Sequence, residues 1–493
     1  GLIAVDPRCV FHRGPIPFQR SSWQNMLKHN NGVNMQITPS QTIWARQALL
    51  PEGWANDVRV VLDGTGGIAS VSAGTAPEGT QVGTLLPAPV NLHSHAFQRA
   101  MAGLSEARGP DPRDTFWTWR QLMFRFLDHL TPDDVRAIAA MVQMEMLQSG
   151  FAAVAEFHYL HHQPDGTPYD QVSEMAQAIC HAAQDTGIGL TLLPVLYRYG
   201  GCDKRALTDG QKRFGNDPDQ FAALFQDSAN AIATLPEDCA IGVAPHSLRA
   251  VQPEDLTFCI EIAGDSVLHM HLAEQVAEID EVRAAFGARP VEWVLDHAPV
   301  SDRWCFIHCT QMTADETVRL AKSGAVAGLC PVTEASLGDG IFEGARFLAA
   351  NGRFGVGSDS NIRISLVEEL RSLEYSQRLR DRARAILAQP GRSTGHVLLA
   401  GAAQGGAQAA GRNAGAIKPG ALGDLVAIDD ADPDLGSRMG DQAIDTLIFS
   451  KDNSAIRDVW SAGRHVVKGG AHIGRTQILD AYRKTMQRLK EKL

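Results

Sequence analysis

Between residues 87 and 412 the chain alternates short apolar runs with longer stretches of helical period. The eight apolar runs are APVNLHSH, FAAVAEFHY, GLTLLPVLY, CAIGVAPHS, SVLHMHLAE, RWCFIHCT, AVAGLCPVT and RFGVGSDSN. Short apolar runs of this kind are typical of buried strands. Strands that alternate with helices form parallel sheets, and eight such units in about 320 residues predict a (β/α)8 barrel of the TIM type with insertions. The expected fold class is therefore α/β.

A doubly wound open sheet is the competing fold. It requires a glycine-rich phosphate-binding turn between its first strand and the next helix. The segment DGTGGIA at residues 63–69 lacks both the GxGxxG spacing and the following helix. The barrel is therefore the preferred interpretation.

The two ends of the chain share a different pattern, in which short β-rich pieces are separated by Gly, Pro and Asp. Residues 35–86 contain TIWARQALL, DVRVVLD and GIASVSAG, and residues 413–474 contain GDLVAIDD, DTLIFS and IRDVWSAGRHVVKGG. Such pieces predict strands and hairpins, so we expect both ends to build one small β-sandwich domain. The amphipathic segment 475–493 predicts a terminal helix, and the polar, aperiodic residues 1–34 are expected to be a non-native or disordered extension.

Composition narrows the class of protein further. Of the 493 residues, 44% are hydrophobic and 20% are charged, as in globular proteins, and no apolar run reaches the roughly 18 to 20 residues that cross a bilayer. The net charge is −11 and the basic residues are scattered, which argues against a nucleic-acid partner. Eight cysteines without a CxxC pair favour reduced thiols in a cytoplasmic protein.

Polar side chains follow the predicted strands at their carboxyl ends. His93 and His95 close the first run, His271 lies in the fifth and Asp359 follows the eighth. Residues two apart on a strand project from the same face, so we expect His93 and His95 to direct two imidazoles to one point. Three imidazoles and one carboxylate favour Zn²⁺, although iron or manganese accept the same ligand types. His269 shares that face of the fifth run and is expected in a hydrogen-bonded layer inside the barrel.

Two further residues near these strand ends have the chemistry of proton transfer. Zinc lowers the pKa of a bound water to about 7, so the predicted ligand set suits hydrolysis. His308, which ends the sixth run, can accept the proton of that water together with Asp359, and Glu274 can donate a proton to a leaving nitrogen. The alternatives are a small metal site of His308 with Cys305 and Cys309, and a solvated charge in the first turn of a helix for Glu274.

Five stretches, in the order NLHSH, HMHLAE, FIHC, CPVTEASLGDG and GVGSDSN, resemble the amidohydrolase superfamily and, within it, the branch of single-metal deaminases. The resemblance covers most of the chain after Met35, including the small sheet domain and the segment GAIKPGALGDLVAID. LLPVLYRYG and VAPHS contain no lysine that would correspond to a carboxylated lysine, so the resemblance implies one metal ion per subunit. It also implies a homodimer.

Further stretches, NLHSHAFQRAMAGLSE, DTFWTWR, EFHYLHH and APHSLRAV, resemble members of this branch that hydrolyse a linear amidine carrying two carboxylates. A chain with a net charge of −11 has to bind such a dianion with local donors, ideally with arginines that form bidentate charge-assisted bonds. The resemblance suggests a substrate-binding set of Gln98, Arg120, Tyr159, His246 and Arg249.

Two other functions stay open at this point. The metal ligands alone do not name a substrate, so a deaminase of guanine or of S-adenosylhomocysteine is the first alternative, with stacking aromatic rings and ring-directed amides expected in its pocket. A non-catalytic scaffold with the same fold is the second, but such a protein is expected to have lost ligands. The two arginines favour the dicarboxylate amidine.

Overall fold

The computed structural model describes residues 40–106 and 116–492, and within the second range it does not describe the side chains of residues 116–118 and 121. The predicted N-terminal extension, residues 1–34, lies outside the described residues. Among the helices of these two ranges, none combines the length and the hydropathy that a membrane span requires. The seven cysteines of these ranges are free thiols.

All eight predicted apolar runs form strands of a barrel. The strands are, in chain order, Val90–Ser94, Ala153–His158, Gly189–Leu196, two short pieces Ala240–Ile241 and Ala244–Pro245, Leu268–Leu272, Trp304–His308, Val326–Leu329 and Arg353–Val356. Neighbouring strands within each sheet pair in parallel. Single parallel bridges join Val243 to Leu268 and Ser94 to Asp359, and these two bridges close the ring. The arrangement is that of the expected (β/α)8 barrel.

The barrel strands appear in the sequence as continuous apolar runs because both of their faces are buried. A fully buried cluster includes Leu92, Cys305, Ile307 and Val326, which come from three different strands. Helices pack on the outer face of the strands, so apolar residues are needed there as well. The polar residues at the carboxyl ends of the strands are therefore exceptions to the pattern, and such exceptions mark function in this fold.

The first and eighth barrel strands approach each other closely where these polar residues lie. The Asp359 amide donates to the His93 carbonyl at 2.9 Å, and the His95 amide donates to the Asp359 carbonyl at 3.0 Å. Gly357 permits this approach, because a Cβ atom there would lie 2.6 Å from the backbone nitrogen of His93. Closure of the barrel therefore fixes Asp359 beside His93 and His95.

Strands from both ends of the chain form one eight-stranded sheet. In spatial order the strands are Ala471–His472, Arg464–Lys468, Ile456–Ser461, Leu425–Ile428, Thr80–Pro87, Gln41–Leu50, Gly53–Leu62 and Ile68–Ser72. The two ends meet where Leu425–Ile428 runs antiparallel to Thr80–Pro87. A small sheet built from both ends is thus present, whereas its division into the two layers of a sandwich stays a prediction.

The strand expected at DTLIFS is wrong, because Asp441–Ser450 is a helix. The buried residues of this helix are Ala443, Ile444, Leu447 and Ile448. Spacings of three and four residues mark one face of a helix. The six residues DTLIFS contain only the second half of that pattern, so they resemble an apolar strand when taken alone.

Helices connect the barrel strands and flank the small sheet. The α-helices are Phe116–Leu127, Pro132–Gln148, Glu174–Thr186, Pro218–Ile232, Pro253–Ala263, Val276–Phe286, Pro290–His297, Ala314–Lys322, Pro331–Leu337, Gly344–Ala349, Leu366–Asp381, Thr394–Ala409, Asp441–Ser450 and Arg475–Lys490, and the 3-10 helices are Ala96–Met101, Asp209–Phe214, Leu435–Ser437 and Asn453–Ala455. The helices expected at PDDVRAIAAMVQMEMLQSG, at ADETVRLAKSG and at the C-terminal segment are confirmed. The first of these begins with a capping box, in which Thr131 and Asp134 satisfy each other's backbone amides.

Candidate active site and metal centre

The four predicted metal ligands meet at the carboxyl end of the barrel. The Nε2 atoms of His93 and His271 are 3.1 Å apart. The Asp359 Oδ1 atom is 3.5 Å from His93 Nε2 and 3.2 Å from His95 Nε2. All four side chains are buried, and the three histidines place ligand atoms within 4.8 Å of one another. Three imidazoles and one carboxylate thus surround one point.

Backbone carbonyls determine which nitrogen carries the proton in two of these rings. His95 Nδ1 lies 3.1 Å from the Phe157 carbonyl oxygen, and His271 Nδ1 lies 3.2 Å from the His246 carbonyl oxygen. A carbonyl oxygen only accepts, so Nδ1 donates in both rings and Nε2 of the neutral ring presents a lone pair to the shared point. Histidines that bind metals are held in this way, so the residues present fit a metal ion with nitrogen and oxygen ligands.

The charges of the cluster also suit a divalent cation. Burial lowers the pKa of His93 to about 3 and holds the pKa of His271 well below its ordinary value. Both rings are therefore neutral near pH 7, the form that binds a metal. Burial acts to raise the pKa of Asp359, but hydrogen bonds with His93 and His95 hold that pKa well below its ordinary value, so the carboxylate is charged.

His308 lies beside this cluster with carboxylates around both ring nitrogens. Its Nε2 atom is 3.7 Å from Glu274 Oε1 and 3.7 Å from Asp359 Oδ2, and its Nδ1 atom is 3.2 Å from Glu334 Oε1. Burial acts to lower the pKa of His308, but the carboxylates of Glu274, Glu334 and Asp359 raise it to about 10. The imidazole is therefore placed to hold a proton between Asp359 and Glu274.

The two alternatives considered for Glu274 and His308 do not match the geometry. Glu274 is buried and precedes the helix Val276–Phe286, so it is not a solvated charge in a first helical turn. Within the described residues, no group of converging ligand atoms joins His308 to Cys305 and Cys309.

The backbone is strained at the same strand ends. Ala273, His308, Asp359 and Asn361 have φ angles between 45° and 73°, a region that residues other than glycine rarely adopt. Such conformations persist where the surrounding structure holds them, and they cluster at active sites. Here the Asn361 side chain donates to the carbonyl of His95 at 3.1 Å, which ties the strained segment to a predicted ligand.

One pocket opens onto the ligand cluster, and all five predicted substrate-binding residues line it. Its wall is formed by Gln98, Arg120, Tyr159, His246 and Arg249, together with Trp119, Met123, Tyr197, Phe214, Leu337 and Ser360. The pocket also reaches His95, His271, Glu274, His308 and Asp359. The residues predicted for binding, for proton transfer and for metal ligation are thus brought together at one place, while their individual roles stay predictions.

Two guanidinium groups lie in this wall. Arg120 Nη2 donates to the Tyr197 hydroxyl oxygen at 2.7 Å, and Arg249 Nη2 is 3.7 Å from Glu274 Oε2. Arg249 therefore lies next to a candidate for proton transfer as well as in the pocket wall. Two cations beside the cluster of predicted metal ligands suit an anionic substrate.

Sequence reasoning missed two residues that the structure places at the site. Tyr197 directly follows the third barrel strand, and Glu334 lies in the helix Pro331–Leu337 after the seventh. A signal for Tyr197 exists in the sequence, because Tyr159 occupies the same position after the second strand. Glu334 gives no such signal, since its contact with His308 joins residues 26 positions apart and its local pattern is that of an ordinary helix.

A closed (β/α)8 barrel whose carboxyl end gathers imidazoles and a carboxylate defines a metal-dependent hydrolase. Comparison with known proteins agrees with this class. The model of the Amidohydrolase family matches residues 84–466, and the model described as Formimidoylglutamate deiminase HutF, N-terminal domain, matches residues 40–81. Formimidoylglutamate deiminase of Pseudomonas aeruginosa is 44% identical over 444 residues, which cover 89% of this chain and 97% of that protein.

Solved structures extend the comparison. An amidohydrolase from Brucella melitensis is 46% identical with a TM-score of 0.87, covering 91% of this chain and 99% of that one. An adenosine deaminase from Xanthomonas campestris with bound zinc shares the fold at 19% identity and a TM-score of 0.74, covering 91% of this chain and 98% of that one. The chain therefore belongs to the amidohydrolase family and, within it, to the group of the formimidoylglutamate deiminases.

Proposed function

We propose that this protein hydrolyses N-formimidoyl-L-glutamate to N-formyl-L-glutamate and ammonia, a step of histidine degradation. The observation that carries the proposal is that Arg120 and Arg249 line the same pocket as His271 and Asp359. Two guanidinium groups suit the two carboxylates of this substrate, and the adjacent cluster suits hydrolysis of its C–N bond. The name of the Pseudomonas aeruginosa relative supports the same substrate.

We further propose that His93, His95, His271 and Asp359 hold one Zn²⁺ per chain. Bound zinc would lower the pKa of a water to about 7 and so supply the nucleophile at neutral pH. Zinc is preferred to iron or manganese because its protein sites favour imidazole ligands with a carboxylate and an open position for water. The zinc in the Xanthomonas campestris relative supports this choice.

The protein's own residues would orient the substrate and move its protons. Asp359 is placed to accept a proton from the attacking water, and protonated His308, whose Nε2 is 3.7 Å from Asp359 Oδ2, would orient this carboxylate. Glu274 Oε1 is 3.7 Å from the same His308 nitrogen and is placed to pass a proton to the nitrogen that leaves as ammonia. Burial raises the pKa of Glu274, against the opposing effect of His308 and Arg249, which favours a carboxyl group that exchanges a proton during turnover.

Replacing Arg249 by methionine is expected to raise KM for N-formimidoyl-L-glutamate by about 10- to 100-fold, the range for one lost hydrogen bond to a charged group. An analogue without the carboxylate that Arg249 binds should show a much smaller rise. Because Arg249 Nη2 lies 3.7 Å from Glu274 Oε2, a fall in kcat common to all substrates is expected in addition.

Steady-state kinetics on the dicarboxylate and on two analogues, each lacking one carboxylate, separate these effects. Arg136→Met is the matched control, since Arg136 forms a half-exposed ion pair with Asp185 outside the pocket and its loss should leave all three KM values unchanged. If Arg249→Met raised KM equally for the dicarboxylate and for both analogues, the result would contradict carboxylate recognition by Arg249.

The alternative function is a deaminase of guanine or of S-adenosylhomocysteine. The aromatic rings of Trp119, Tyr159, Tyr197 and Phe214 in the pocket wall are the observation that favours it, because flat rings stack on aromatic side chains. The two arginines of the wall, Arg120 and Arg249, favour the dicarboxylate instead. Neither guanine nor S-adenosylhomocysteine carries two carboxylates that would need two guanidinium groups.

A screen of ammonia release across purines and formimidoyl-amino acids tests the proposal. We expect the highest kcat/KM on N-formimidoyl-L-glutamate and at most weak release from the purines. Faster release from guanine or S-adenosylhomocysteine would establish the alternative function. Release from none of the compounds by metal-loaded protein would favour the non-catalytic scaffold.

A homodimer, a cytoplasmic location and the domain boundaries complete the proposal. The boundaries are 35–86 and 413–474 for the small β-sandwich, 87–412 for the barrel and 475–493 for the terminal helix, and the bounds of the described strands and helices support them. The seven free thiols support a reducing cytoplasm. Light scattering of the purified protein tests the dimer, with a monomer mass as the contradicting result.

A further inference from the structure

Tyr197 lines the pocket but is absent from the substrate-binding set inferred from the sequence. It directly follows the third barrel strand, Gly189–Leu196, and only 4% of its surface is exposed. Its ring centre is 4.4 Å from that of His246, a predicted substrate-binding residue. The phenol group is therefore a buried part of the pocket wall, next to a side chain expected to contact the substrate.

Two hydrogen-bond donors contact the Tyr197 hydroxyl oxygen. Arg120 Nη2 lies 2.7 Å and Gln211 Nε2 lies 2.9 Å from this oxygen. Guanidinium and amide nitrogens donate hydrogen bonds and do not accept them, so the hydroxyl oxygen accepts in both contacts. A hydroxyl group has two acceptor lone pairs and one proton. Both lone pairs are thus occupied, and neither contact uses the proton.

The orientation of the Gln211 amide is fixed independently of Tyr197. Gln211 Oε1 accepts from the Thr208 backbone amide at 2.9 Å and from the Thr208 hydroxyl at 3.1 Å. These contacts belong to the capping box of the short helix Asp209–Phe214. Since a backbone amide only donates, the oxygen of Gln211 has to face Thr208 and its nitrogen has to face Tyr197.

The phenol proton of Tyr197 has no acceptor within the part of the chain that the structure describes. A similar arrangement surrounds Tyr159, whose hydroxyl oxygen accepts from Gln98 Nε2 at 2.8 Å. The proton of Tyr159 faces the Met123 sulfur at 3.7 Å, which is a weak acceptor. Both phenols therefore accept from a buried glutamine and lack a strong acceptor of their own, and an incoming carboxylate supplies one.

We propose that Tyr197 is a substrate-binding residue that donates its phenol proton to a carboxylate of the substrate, and that Gln211 is the positioning residue that orients it. The Arg120 cation, 2.7 Å from the same oxygen, attracts a carboxylate to this position and polarises the hydroxyl, which strengthens it as a donor. The inference rests on the proposed function, because it needs a substrate that carries a carboxylate.

The substitution Tyr197→Phe tests this directly, because it removes the hydroxyl group and keeps the ring that packs on His246. The KM for N-formimidoyl-L-glutamate is expected to rise about 10- to 100-fold, as for a lost hydrogen bond to a charged group, with kcat nearly unchanged. Tyr199→Phe is the matched control, since Tyr199 contacts Arg198 at 5.0 Å outside this pocket, and its kinetics should equal those of the unmodified protein.

Two analogues that each lack one carboxylate distinguish recognition from a general loss of structure. Tyr197→Phe should raise KM on the analogue that retains the carboxylate bound by Tyr197 and leave KM on the other analogue unchanged. Gln211→Met should raise KM on the same substrates by a smaller factor, because the phenol is kept and only its orientation is lost. Unchanged KM values for Tyr197→Phe, or equal rises on all three substrates, would overturn the inference.

The failure of this inference and the failure of the proposed function give different results. If the unmodified protein releases ammonia from N-formimidoyl-L-glutamate and Tyr197→Phe does so with the same KM, the role of Tyr197 is wrong and the function stands. If neither the unmodified protein nor Tyr199→Phe acts on this substrate while both deaminate a purine, the proposed function is wrong, and the role of Tyr197 falls with it.

Discussion

Replacing Glu274 by glutamine is expected to lower kcat on N-formimidoyl-L-glutamate by about 10²- to 10⁴-fold, the contribution of a positioned general acid or base. Glutamine keeps the size and polarity of the side chain but cannot pass a proton to the leaving nitrogen, the role proposed for Glu274. Glu274 is buried, and its Oε1 atom lies 3.7 Å from His308 Nε2, so no solvent-exposed group can easily replace it. Metal content and thermal stability should stay close to those of the unmodified protein.

The control for this variant is Glu261→Gln, an exposed position on the helix Pro253–Ala263. Its kcat and metal content are expected to match those of the unmodified protein. Steady-state assays of ammonia release measure kcat, and elemental analysis measures the metal content. A Glu274→Gln protein that keeps its metal content and turns over at a near-normal rate would remove Glu274 from the mechanism.

Replacing His271 by alanine is expected to give the second large effect, a loss of bound metal and a fall in activity of about 10³-fold or more. A bound metal ion supplies several kcal/mol of transition-state stabilisation, which correspond to a factor of this size. His271 Nε2 lies 3.1 Å from His93 Nε2, so its removal opens the ligand set on one side. Added zinc in excess should restore only part of the rate, because three of the four proposed ligands would bind it more weakly than all four.

His269 offers a matched control on the same strand, two residues before His271. Its Nε2 atom is 2.7 Å from the carbonyl oxygen of Ala409, the last residue of the helix Thr394–Ala409, so the ring is hydrogen-bonded, while its place in a layer inside the barrel stays a prediction. His269→Asn is therefore expected to keep its metal content, even where the loss of this contact lowers stability. Equal metal loss in both variants would show that the effect of His271→Ala is structural.

The barrel was predictable because parallel strands are buried on both faces. This burial turns each strand into a short, continuous apolar run, and the run RWCFIHCT corresponds to the strand Trp304–His308. The helix Asp441–Ser450 does not follow from the six residues DTLIFS, because six residues are too few to separate a helical period from a strand. A window that began at Asp441 would have contained the buried Ala443 and Ile444.

Much of the site was predictable for a related reason. In a parallel barrel all carboxyl ends lie at one edge, so polar residues that interrupt apolar runs have to come together there, as His93, His271 and Asp359 do. The contact of Glu334 with His308 follows from how the helix Pro331–Leu337 packs. No local pattern in the sequence encodes a packing relation of that kind.

The contacts of Tyr197 show the same limit. Its hydroxyl oxygen accepts from Arg120, 77 positions away, and from Gln211, 14 positions away. Its position after the third strand can be read from the sequence, but which donors fill its lone pairs depends on the packing of two connecting segments. The sequence therefore predicts where chemistry lies, and the structure is needed to assign the hydrogen bonds that tune it.

We propose that one metal ion, held by His93, His95, His271 and Asp359, enables this protein to release ammonia from N-formimidoyl-L-glutamate. The most direct test is to strip the purified protein with a chelator, return zinc in measured amounts and follow ammonia release at saturating substrate. A single-metal site predicts almost no release without metal and a linear rise that ends at one equivalent of zinc per chain. A full rate in the stripped protein, or a rise that continues to two equivalents, would contradict it.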